Sequence, residues 1–128
     1  MSYSFSKKVE LSYEDALAKV TAELQKEGFG VLTEIDVKAT LKRKLDVDYP
    51  NYMILGACNP PFAHKALEAE PEIGLLLPCN VVVYETEKGE TMVSAINAEA
   101  MLSVVGRKDI LPIANEVNDR LKKVINNI

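Results

Sequence analysis

Polar and apolar residues alternate from Tyr3 to Leu11: Tyr3, Phe5, Val9 and Leu11 share one parity, and Ser4, Ser6, Lys8 and Glu10 take the other. This is the period of a strand with one covered face. Ser12 then opens Ser-Tyr-Glu-Asp, an N-cap with an acidic residue three positions on, and Leu17, Val20 and Leu24 follow at helical spacing. Gly28 is placed to end that helix in a left-handed turn. Gly30 to Ile35 reads as a second strand. Asp36 behind it caps a short helix whose stripe is Val37, Leu41 and Leu45.

Asp46 to Asn51, with Pro50, is a loop. Tyr52 to Cys58 is almost continuously apolar around Gly56 and predicts a central strand. Asn59-Pro60 predicts a helix start, with asparagine as cap and proline at the first helical position, and the helix must stop before Pro71. Gly74 to Pro78, GLLLP, fits either a buried extended segment or a loop. Asn80 to Thr86 and Thr91 to Asn97 read as two strands joined by a four-residue hairpin loop, Glu87 to Glu90. A short helical turn follows, and Asp109 is expected to cap a last helix with the stripe Ile110, Ile113, Ala114, Val117, Leu121, Val124 and Ile128.

The order is β-α-β-α-β-α-β-β-α. It predicts a single α+β domain over residues 1–128, with about five strands in a mixed sheet and helices packed against it. Tyr52 and Tyr84 are expected to close the sheet against its helices, with their hydroxyls at the rim, and a role in binding is the lesser alternative for them.

At 128 residues with 48% hydrophobic and 27% charged positions, the chain falls in the soluble globular range. No apolar run approaches the roughly 18 residues of a membrane span, and the start lacks the apolar centre of a signal peptide. A cytoplasmic location is expected, with the two cysteines reduced. The net charge of −4 argues against nucleic acid as a partner. The cluster Lys38, Lys42, Arg43 and Lys44 is followed by Asp46 and Asp48, and reads as a solvated helix face.

Candidate chemistry concentrates between Tyr52 and Glu85, which holds both cysteines, the single histidine and four of the six prolines. Cys58 stands just before a helix start, where unpaired N–H groups favour a reactive thiolate, although a cysteine ending a buried strand also serves as a small apolar residue. Cys79 has no helix beside it. A crossover into a parallel strand would leave the two cysteines at opposite ends of the sheet. If Glu72 to Pro78 runs back in extended form, Cys79 returns beside Cys58 in an antiparallel strand. The apolar GLLLP tract favours that second route. His64 completes a Cys58, His64, Cys79 set of candidate metal ligands, but its spacing from Glu68 also fits a surface pair on the helix.

The segments GFGVLTEIDV at Gly28–Val37, YMILGACNPPFAHKAL at Tyr52–Leu67 and GLLLPCNVVVYE at Gly74–Glu85 resemble the domain-of-unknown-function 302 family. The resemblance covers the central two thirds of the chain. It implies a small α+β fold and a homodimer, and it carries over no catalytic residue. Where relatives tend to carry Asp-Pro after the last strand, this chain has Asn97-Ala98, which implies a looser corner.

The residues point to a binding or interaction module with a pocket where Cys58, Asn59 and Pro60 meet Pro78 and Cys79. The helix start there would take a small anionic ligand, and no cofactor is implied. The alternatives are a thiol redox enzyme or sulfur carrier, with Cys58 attacking and Cys79 resolving, and a metal protein using both thiols.

Overall fold

The computed structural model describes residues 2–128. Its strands are β1 (Ser4–Val9), β2 (Gly30–Asp36), β3 (Tyr52–Cys58), β4 (Cys79–Glu85) and β5 (Thr91–Ile96). Its helices are α1 (Tyr13–Lys26), α2 (Val37–Leu45), α3 (Pro60–Ala69), α4 (Ala98–Leu102) and α5 (Leu111–Asn126), with 3₁₀ turns at Pro71–Leu76 and Ser103–Val105. The strands form one sheet in the order β1-β5-β4-β3-β2.

The expected α+β architecture is present, with one difference in pairing. All four neighbouring strand pairs are antiparallel, so the sheet is not mixed. The reason lies between β3 and β4. α3 leads away from the end of β3, and the Pro71–Leu76 turn brings the chain back to the same end, so that Cys79 pairs with Ala57. That return is wound rather than extended. Pro71 occupies its first turn, and the Glu70 carboxylate accepts the Glu72 N–H at 3.4 Å. Six residues at about 2.0 Å each span about 12 Å, well short of an extended run.

One face of the sheet carries the core. Val9, Leu55, Ala57, Val81, Val83, Val93 and Ala95 are buried against Ala16, Val20 and Leu24 of α1 and Val117, Leu121 and Val124 of α5. The opposite parity, including Ser4, Ser6, Ser94, Asn80, Val82, Tyr84, Tyr52 and Ile54, forms the other face. Antiparallel sheets tolerate one wet face in this way. Tyr52 and Tyr84 stand opposite one another there, so they do not close the sheet against α1 and α5 as the pattern suggested.

The caps show which local signals prevailed. Ser12 accepts the Asp15 N–H at 3.1 Å and Asp36 accepts the Ala39 N–H at 2.9 Å, as predicted. At the end of α1, Gly28 has φ 84°, the Gly28 N–H donates to Gln25 and the Phe29 N–H donates to Leu24. This is a Schellman ending that needs a residue at ease with positive φ. Asp109 does not cap α5. Its carboxylate is claimed by the Arg107 guanidinium at 2.9 and 2.6 Å, and α5 starts without a side-chain cap. An ion pair two residues away outcompetes the cap.

Candidate functional site

Two concavities bear on function, one on each face of the sheet. The first is the junction of β3, α3 and β4 nominated by the sequence. Antiparallel pairing brings Cys58, Asn59, Pro78 and Cys79 to one small cavity, whose walls also include Phe29, Phe62 and Val117, while Pro60 does not line it. Its volume is about 30 Å³ and its walls are almost wholly apolar. That is room for a water molecule or two, and far below the several hundred cubic ångströms of a typical ligand pocket.

The groups around this cavity are already engaged. Asn59 caps nothing: its side-chain amide donates instead to the Glu27 carbonyl at 3.2 Å, beside Arg120, which donates to the same oxygen at 3.1 Å. Arg120 also lies 5.3 Å from the centre of the Phe62 ring. The C-terminal end of α1 is thus pinned by one amide and one cation, a favourable place for positive charge. Pro60 and Pro61 remove two of the first donors of α3, and the Ala63 N–H bonds to the Asn59 carbonyl. Of its first four residues only Phe62 offers a free N–H, which leaves little of the anion site expected there.

Both cysteines line this cavity; Cys79 pairs with Ala57, so Cys58 stands one position beyond that pair with the opposite strand parity. Both cysteines are free, Cys58 half-buried and Cys79 buried. Burial pushes the Cys79 thiol up to about 11, with the neighbouring Cys58 adding to the effect. A buried thiol of that kind is a poor resolving nucleophile near neutral pH. His64 lies on the exposed side of α3 with Nε2 at 3.3 Å from Glu68, in the surface pair that its spacing allowed. Among the described residues no group of three His, Cys, Asp or Glu side chains is placed to hold a metal ion.

The second concavity lies on the open face; the sequence allowed its Tyr52 and Tyr84 a binding role as the lesser alternative but did not predict a cleft there. Tyr3, Ser4, Ser6, Tyr52, Asn80, Val82, Tyr84, Ser94, Ala95 and Ile96 line a cleft of about 460 Å³. Tyr52 and Tyr84 stack at 5.2 Å between ring centres with planes 19° apart, and Tyr49 tilts against Tyr52 at 6.5 Å. Ser6 and Ser94 share a hydrogen bond of 2.7 Å across β1 and β5, and Ser4 reaches Ser6 at 3.3 Å. Among the described residues no Asp, Glu, Lys, Arg or His lines the cleft. Partial burial and the neighbouring tyrosines raise the Tyr52 phenol above its ordinary value, so it stays neutral. The signal was present in the sequence as serines and tyrosines on one strand parity, but only the pairing order shows that they converge.

The family described as "Domain of unknown function DUF302" has a model that matches residues 5–128. The chain belongs to the DUF302 family. A crystal structure of an uncharacterized conserved DUF302 protein from Bacillus stearothermophilus superposes with a TM-score of 0.92 at 25% identity, covering 99% of this chain and 98% of that one. An uncharacterized protein of Aquifex aeolicus (strain VF5) is 29% identical over 114 residues, or 88% of this chain and 72% of the relative. The likeness to the DUF302 structure spans both faces of the sheet, so the cleft and the cysteine cavity both lie within the shared fold. The described residues contain no helix long and apolar enough to cross a membrane.

Proposed function

We propose that this DUF302 protein is a non-catalytic, cytoplasmic binding module, active as a homodimer, that takes an uncharged small molecule in the open-face cleft. The observation that carries the reading is a cleft of about 460 Å³ that combines stacked phenol rings, three serine hydroxyls and one carboxamide with, among the described residues, no ionisable group other than tyrosine. Such a lining suits a ligand with a flat apolar face, to lie on the rings, and a hydrogen-bonding edge, to meet the hydroxyls. A charged ligand would lose its water without gaining a counter-charge. The cysteine cavity, at about 30 Å³, is better suited to packing than to binding. A reducing compartment fits two free cysteines.

The test is ligand-observed NMR with a panel of uncharged cyclic fragments: nucleobases, phenols and simple sugars. Binding by one of these classes is expected, with roughly tenfold loss of affinity in Tyr84→Ala and no loss in Cys58→Ser. Binding that survives Tyr84→Ala but disappears in Cys58→Ser would move the site back to the thiols.

A further inference from the structure

The open-face cleft has two unlike ends. On the face of β4 that turns away from the core, Tyr84 and Asn80 stand four residues apart with Val82 between them, a separation of about 13 Å. Val82 pairs with Ser94 of β5, and Ser94 with Ser6 of β1, so short side chains floor the middle. Tyr84 rises at one end beside its stacking partner Tyr52, and Asn80 lies towards the other. A single six-membered ring would fill only part of the 460 Å³ so enclosed and would meet one end of it.

Each part of the lining asks for a different group. Tyr52 covers one face of the Tyr84 ring, and among the described residues no other ring or cation lies against the second face. A planar π system would extend that stack, whereas a saturated sugar ring has no π face to offer. The serines hold acceptors in excess. Ser4 to Ser6 at 3.3 Å and Ser6 to Ser94 at 2.7 Å consume two of the three hydroxyl protons but only two of the six lone pairs. The strip therefore selects N–H and O–H donors. Asn80 is exposed and, among the described residues, its side chain has no partner. Its carboxamide can donate to one hydroxyl of a vicinal diol and accept from the other.

We infer that, granted the binding role proposed for this cleft, its ligand is a neutral nucleoside: an amino-bearing base stacked on Tyr84 with its amino edge towards Ser94 and Ser6, and the ribose diol at Asn80. Among the described residues nothing in the lining could neutralise a phosphate, which separates a nucleoside from its nucleotides. A disaccharide would bring hydroxyls to the serines but leave the ring face uncovered. A free base would cover the ring and leave Asn80 unmet.

The experiment is calorimetric titration of the full chain with adenosine, adenine, inosine, adenosine monophosphate and maltose. Adenosine is expected to bind most tightly of the five. Adenine, which lacks the diol, and inosine, whose carbonyl replaces the amino donor, should each bind roughly tenfold more weakly, the worth of one or two hydrogen bonds. Asn80→Ala should weaken adenosine by a similar factor and narrow its lead over adenine, and Ser94→Ala should narrow its lead over inosine. Circular dichroism confirms that each variant is folded. Adenine equal to adenosine, a lead unmoved by Asn80→Ala, or tighter binding of maltose or the monophosphate overturns the nucleoside. The cleft reading survives any of these results if Tyr84→Ala still weakens the ligand that binds. Failure of all five probes also overturns the nucleoside, and the cleft reading falls with it only if the uncharged cyclic fragments fail as well.

Discussion

Asn118 donates through its side-chain nitrogen to the Asn97 side-chain oxygen at 2.9 Å, while its own oxygen accepts the Ala98 N–H at 2.6 Å. Asn97 in turn accepts the Ala100 N–H at 3.1 Å and donates to the Ser2 carbonyl at 3.0 Å. The corner after β5 is thereby tied to α5 and to the start of β1. The Asn97-Ala98 dipeptide suggested looseness, but the backbone N–H that a proline would lack is the group Asn118 holds. Ala98 is fully buried.

Replacing Asn118 by alanine strands that N–H in a buried site, while Asn97 keeps its bonds to Ala100 and Ser2. A loss of about 2 kcal/mol is expected, since an unsatisfied buried donor costs on that order. The urea midpoint should fall with an unchanged slope. Asn118→Asp is the control: it keeps an acceptor for Ala98 but loses the donor to Asn97, and its loss should be comparable or larger.

Gly56 makes a second close approach, in the middle of β3. A Cβ added there would meet the Thr33 hydroxyl on one side and lie 2.9 Å from the Pro78 ring on the other. Both neighbours belong to paired strands or their entry, so neither withdraws freely. Gly56→Ala should therefore cost about 2 kcal/mol through overpacking. Adding Thr33→Ala should return part of that loss, a non-additivity expected for contacting residues. Denaturation of the two single variants and the double variant measures it; strict additivity would contradict the shared contact.

Much of this fold is written in local patterns. Strand parity, the Ser12 and Asp36 caps and the Gly28 ending all depend on residues within a few positions of one another, and all took the expected form. What failed depended on distant partners. Asn59 looked like a cap, but Glu27, remote in sequence, captured its amide. Tyr52 and Tyr84 looked like core residues because aromatic strand positions usually are, and only the placement of all the long helices against the other face makes them a cleft wall. The convergence of Cys58 with Cys79 was legible as one of two chain routes. The one-residue offset between them was not, because register is set by the pairing as a whole.

Stability should fall on the alkaline side. The Cys79 thiol titrates near 9 when exposed and is pushed to about 11 by burial in the folded chain. The folded state thus holds its proton more tightly. The associated stability is complete below about pH 9 and is lost as pH rises through 11, on the order of 3 kcal/mol for two units. Tyr13, raised by burial to about 12, extends the decline above pH 10. Urea denaturation from pH 8 to 10.5 should show a steep fall in wild type and a shallower one in Cys79→Ala. Equal slopes would mean that another group drives the loss.

The same burial predicts how the two thiols react. Cys58 is half-buried at the end of β3, whereas Cys79 is only 7% exposed beneath α5 and the turn before β4. Under native conditions at pH 8, iodoacetamide should modify one thiol per chain, and Cys58→Ala should abolish that fast phase. Modification of Cys79 should follow the rate of opening and rise with urea, because the reagent reaches it only when the inner face is exposed. Mild oxidation with diamide adds a second readout. Cys79 pairs with Ala57, so Cys58 lies one position beyond that pair and has the opposite strand parity, an offset that works against the side-chain approach a disulfide needs. Mass spectrometry should find no bridge within one chain in native protein. Rapid bridging of Cys58 to Cys79 would mean that the ends of β3 and β4 slip past one another, and would restore the thiol enzyme as the better account.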